Sequence, residues 1–115
     1  MPFISITTSV RLEGEAREQV RAAAYDSILL VPGKTKEVTM VQIRDCADLT
    51  KADTGEAAIF VEARMFTRPP MAAKKEFAQA IMKKLCEVTG VAPAQVYLNI
   101  IEFHEWGSNG DYRSF

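Results

Sequence analysis

The sequence predicts an α/β fold: two β-α-β pseudo-repeats forming one four-stranded sheet, with two helices on one face. Three observations carry this. A strand, helix and strand pattern occurs twice in order, the segment Val38–Ile43 recurs as Val96–Ile101 at an offset of 58 residues, and the two units are nearly equal in length. The units span residues 2–47 and 56–111, joined by Asp48 to Gly55, within a single domain over 1–115. With 115 residues, folding buries roughly two thirds of the chain's surface, enough for one core and too little for two.

Taken in order, Phe3 to Val10 mixes aromatic, Ile, Val and Thr residues with Ile4 and Ile6 at period two, the pattern of a strand. From Glu15 to Leu30 the positions Ala16, Val20, Ala23, Ala24, Ser27 and Ile28 recur at helical spacing, opposite Arg17, Glu18, Arg21 and Asp26. Pro32-Gly33 stops that helix, and Val38, Met40 and Val41 to Ile43 begin a second strand. Ala57 to Phe66 is the third strand. Pro69-Pro70 opens a helix at its first turn, with Phe77, Ile81, Leu85 and Val88 as its apolar stripe and Gly90 as its stop. The strand from Val96 closes the second unit. Right-handed crossovers make each unit a parallel pair. The sheet face away from the helices is left bare, with strand residues mostly apolar or small, so self-association is expected, and Tyr112 to Phe115 is expected to pair with a neighbour's edge.

Charge and motif content exclude several classes. Fourteen basic against fifteen acidic residues give a formal net charge of -1, with no basic patch for nucleic acid or an anionic membrane surface. The longest apolar run, Ile28 to Pro32, is far short of the roughly 20 residues of a membrane span, and Met1-Pro2-Phe3-Ile4 shows no export signal, so a cytoplasmic location is expected. Cys46 and Cys86 read as reduced thiols. His104 is the sole histidine, which argues against a metal site or a triad, and no glycine-rich phosphate loop calls for a nucleotide cofactor. No cofactor is expected.

Pro2 directly after Met1, an apolar strand and two β-α-β units in this length together resemble the tautomerase superfamily. The likeness is to its long-chain branch, that of macrophage migration inhibitory factor and malonate semialdehyde decarboxylase. Pro93-Ala94-Gln95-Val96-Tyr97-Leu98-Asn99 is similar to the former's segment before its last long strand. Gly33-Lys34 falls where that protein has a glycine and an active-site lysine. Trp106-Gly107-x-x-Gly110 resembles an aromatic-glycine turn of the shorter members. Thr67-Arg68-Pro69 is similar to the decarboxylase's substrate-arginine motif, with Pro70 where that family has a second arginine. The resemblance implies a homotrimer with active sites between subunits and the N-terminal proline as catalytic base, acting on a small carboxylate substrate of the 2-oxo, enol or unsaturated kind.

On this reading Met1 is removed and Pro2 presents a secondary amine, whose pKa an apolar pocket ringed by Lys34, Arg64 or Arg68 pushes toward neutrality. The same cations hold a carboxylate and stabilise an enolate oxygen, Arg68 foremost. Tyr97 and Asn99 share one face of the last strand, where the resemblance implies a neighbouring subunit's pocket. Phe103, Trp106 and Phe115 wall the pocket or form a subunit seam. A non-catalytic oligomeric binding or regulatory protein of the same fold, or a hydratase, dehalogenase or decarboxylase variant, is the alternative.

Overall fold

The computed structural model describes residues 1–115 and contains a mixed sheet of four strands. β1 (Pro2–Thr8) and β2 (Met40–Arg44) run parallel, as do β3 (Ile59–Phe66) and β4 (Val96–Phe103). β1 and β3 join the two units antiparallel in the centre, giving the order β2-β1-β3-β4. This is the expected fold class. The helices, α1 (Gly14–Ser27) and α2 (Met71–Thr89), pack on one face. Val20, Ala23 and Ala24 of α1 and Phe77, Ile81 and Leu85 of α2 cover Ile4, Ile6, Val61, Ala63 and Met65 of the two central strands. No helix is long and apolar enough to cross a membrane.

The boundaries differ where local chemistry intervenes. α1 ends at Ser27 and tightens into a 3₁₀ turn over Ile28–Leu30, short of the proline that would have stopped it. Pro32-Gly33 instead forms a tight turn with Gly33 at φ 79, closed by the Lys34 N–H donating to the Val31 carbonyl at 3.2 Å. Pro70 caps α2 rather than occupying its first turn, and the Lys74 N–H donates to its carbonyl at 3.0 Å. Gly90, at φ 77, ends α2 as expected.

The bare sheet face is mostly apolar or small, as expected, carrying Phe3, Ser5, Thr7, Met40, Phe60, Phe66, Tyr97, Ile101 and Phe103, with Gln42, Arg44, Glu62, Arg64 and Asn99 alternating among them. The expectation for the C-terminal segment is corrected: it pairs within the chain. β5 (Glu105–Ser108) and β6 (Asp111–Ser114) form a hairpin, because Asn109 and Gly110, at φ 51 and 74, make the two-residue turn whose twist matches antiparallel strands. Its aromatic residues dock it onto the end of the sheet: the Phe66 ring lies 6.5 Å from Trp106 and 5.5 Å from Phe115.

Candidate active site

The chain's first residues are held at the head of β1. Pro2 pairs with Met65 and its side chain is fully buried, and the Phe66 N–H donates to the Met1 carbonyl at 3.4 Å. Proline suits this place, since a strand's first residue can lack an N–H without losing a ladder bond. The Pro32-Gly33 turn delivers Lys34, also buried, to the same point. Its Nζ donates to the Phe66 carbonyl at 2.7 Å and to Thr67 Oγ1 at 3.4 Å, and it hydrogen-bonds the N-terminal amine. Thr67 sits at φ 88, strained for a β-branched residue by about 1–3 kcal/mol, and this reversal at the end of β3 presents both acceptors to the lysine.

The amine is electrostatically unusual. With Met1 present, its amine has a pKa lowered from 8.0 to about 6, first by burial, then by the charge of Lys34, the hydrogen bond from Lys34 and the charge of Arg113. Burial likewise lowers the Lys34 pKa, opposed by its bond to the amine. Around this point opens a cleft of about 970 Å³. Met1, Pro2 and Phe3 line it at the strand head, Val38 and Met40 at the approach to β2, and Phe103 and Trp106 on the C-terminal side. Its arginines are Arg64, lying 5.9 Å over the Phe3 ring, and Arg113 on β6, whose Nη2 donates to Ser108 Oγ at 3.2 Å. Glu105 is the carboxylate of the lining. It accepts the Tyr112 hydroxyl at 3.2 Å and lies 3.8 Å from His104.

Of the residues singled out from sequence, Pro2, Lys34, Arg64, Phe103 and Trp106 therefore meet at one end of the sheet. Arg68 does not join them. Beyond the reversal at Thr67 it is exposed and lines a separate depression with His104 and Phe115, and Phe103 stands between the two. Tyr97 and Asn99 also lie apart. They pair with Phe60 and Glu62, four and two residues before the level of Arg64 and Ile101, and Tyr97 instead stacks under Lys51 Nζ at 5.1 Å. Sequence reasoning missed Arg113, Tyr112 and Glu105. The signal was Asn109-Gly110, which folds the last ten residues back toward the cleft.

The architecture and the cleft at the head of β1 define a class: this is the fold of macrophage migration inhibitory factor and of tautomerase-superfamily proteins. No family model matches the chain, and no curated protein matches it by sequence. Solved structures do. Leishmania major MIF2 superposes with a TM-score of 0.89 at 19% identity, covering 98% of this chain and 97% of that one. The macrophage migration inhibitory factor homologue of Prochlorococcus marinus gives 0.82 at 18%, covering 96% and 97%. Pt0534, inactivated by 2-oxo-3-pentynoate, gives 0.85 at 15%, covering 94% and 93%. At these identities the likeness is one of fold.

Proposed function

We propose that the chain is a tautomerase-superfamily enzyme that works without a cofactor. Once Met1 has been removed, the Pro2 amine acts as general base on a small 2-oxo, enol or unsaturated carboxylate. The observation that supports this reading is the environment at the head of β1: Pro2 is fully buried and lines the cleft, and the half-buried Met1 amine beside it has its pKa lowered to about 6, so a Pro2 amine freed there would meet the same burial and the same cations. An amine that is largely neutral at pH 7 and fixed at the floor of a cleft is suited to taking a proton from carbon. In the forward half-reaction the neutral prolyl nitrogen removes the C3 proton of a 2-oxo acid, and the electron pair moves to the carbonyl oxygen as an enolate. That oxygen is stabilised by the cations of the cleft, and a proton added to it completes the enol. Inactivation of Pt0534 by an unsaturated 2-oxo acid supports the substrate class.

A homotrimer goes with this reading. Met40, Tyr97, Ile101 and Phe103 are left exposed on the bare sheet face, and a neighbouring subunit's Tyr97 and Asn99 would then reach a cleft they do not reach within one chain. The test is deuterium exchange at C3 of 2-oxobutanoate, followed by proton NMR, with protein whose mass verifies a free Pro2 and with the Met1-retaining form. Exchange is expected from the first and a lower rate from the second, whose amine is displaced by one residue from the head of β1. Equal rates overturn the mechanism and leave the non-catalytic oligomer.

A further inference from the structure

Two arginines line the cleft, with Lys34 beside it, and their contacts distinguish them. The Lys34 Nζ donates to the Phe66 carbonyl at 2.7 Å and to Thr67 Oγ1 at 3.4 Å. Arg64 is half exposed, lies over the Phe3 ring and has Glu62 at 3.9 Å, so its charge is partly answered before any ligand arrives. Arg113 differs from both. Its partner is the neutral Ser108 hydroxyl across the hairpin, which uses one of five guanidinium donors and none of the charge. The hairpin that carries it is set by the Asn109-Gly110 turn and docked through Trp106 and Phe115 on Phe66.

We propose that Arg113 is the carboxylate anchor of this cleft and so a specificity-determining residue. The inference rests on the functional reading above and assigns the recognition within it. A planar guanidinium accepts a carboxylate on two parallel N–H bonds, whereas a lysine offers a point charge. Lys34 from the turn before β2 and Arg113 from β6 act on the terminal amine, and Arg64 from β3 and Glu105 from β5 are the other charged groups of the cleft lining. Only Glu105 is negative, and it is engaged by Tyr112 and faces His104, so the cleft is left with a net attraction for an anion. Phe3, Val38, Met40 and Trp106 form the apolar lining left to receive the rest of such a ligand. The chemical class selected is an enolisable acid with a free carboxylate and an apolar body.

The experiment measures C3 exchange of 2-oxobutanoate and of its methyl ester by the wild type, Arg113→Ala, Arg113→Lys and Arg113→Gln. Loss of a charge-assisted bond pair should raise KM for the acid roughly 10- to 100-fold in Arg113→Ala and change the ester less than about threefold, with Arg113→Lys recovering part of the loss. The pKa seen in kcat/KM should also rise in Arg113→Ala, because a cation beside the amine has gone. Equal losses for acid and ester, or no loss, overturn the proposal. If Arg113→Ala disrupts the hairpin, the acid-to-ester ratio in Arg113→Gln and Arg113→Lys decides. Fluorescence of Trp106, the only tryptophan, reads binding of 2-oxobutanoate separately from turnover. Binding that depends on Arg113 without exchange in the wild type refutes the catalytic reading alone. Exchange that ignores Arg113 refutes this assignment alone, and a wild type that neither binds nor exchanges overturns both.

Discussion

Replacing Lys34 by Met removes the charge and the hydrogen bond that press on the N-terminal amine while keeping a side chain of similar length. In the Met1 form the terminal amine has its pKa lowered from 8.0 to about 6. Burial is the largest cause and survives the substitution; the two contributions of Lys34 come next, and Arg113 adds least. The pKa should therefore rise in Lys34→Met but stop short of 8.0. At pH 7 a group with a pKa of 6 is about nine-tenths neutral and one with a pKa of 8 about one-tenth, so the variant's supply of neutral base lies between these limits. The sign for stability follows: the unfolded chain holds more protons between pH 6 and 8, so wild-type stability rises with pH across that window, and the rise is smaller in the variant. The variant also leaves the Phe66 carbonyl without its donor, a cost of about 1–3 kcal/mol, offset by no longer burying an ammonium. Net stability should change less than either effect alone. The assay is an NMR titration of the first residue's Cα, in the Met1 form and in the processed Pro2 form. An unchanged midpoint in Lys34→Met, or a wild-type midpoint near 8, would refute the electrostatic reasoning.

Two further substitutions test the frame of the site. Thr67→Gly should stabilise the chain by about 1 kcal/mol in thermal unfolding, since relief of the strain at φ 88 exceeds the added freedom of the unfolded glycine, although Lys34 loses one acceptor. Gly110→Val should cost the hairpin about 1–2 kcal/mol, because a β-branched residue resists φ 74. The emission of Trp106 should then shift to the red while far-ultraviolet dichroism of the sheet and helices is kept, and an unshifted spectrum would mean that the hairpin does not depend on this turn.

The strand and helix order was legible because each element's apolar period is local. Val20, Ala23 and Ala24, or Phe77, Ile81 and Leu85, mark a buried face within a few turns, and the structure buries those faces. The pairing of Lys34 with the head of β1 was legible only through the resemblance, because 32 residues separate Lys34 from its Phe66 partner and no local pattern joins them. Arg68 misled for a physical reason. An arginine before a helix N-terminus reads as an anion site wherever the chain points, and the reversal at Thr67 is encoded by no glycine.

Topology explains why the cleft draws on both chain ends. β1 is parallel to β2 and antiparallel to β3, which is parallel to β4. The heads of β1 and β2 must then lie at the same end of the sheet as the tails of β3 and β4. Four segments converge there: the first residues of the chain, the stretch from Lys34 to Met40 that leads into β2, the Phe66-Thr67 exit from β3, and whatever follows Phe103. Each brings one kind of group: the amine, the buried lysine, its two acceptors, and an arginine-bearing hairpin. The first three are bound to one another through Lys34, so their geometry is set by the sheet and the adjoining turn. The fourth touches the site through side chains of β5 and β6, and its sequence can change without disturbing any ladder bond of the main sheet. On the proposed reading, proton transfer would fall to the rigid part of the structure and choice of substrate to the replaceable part.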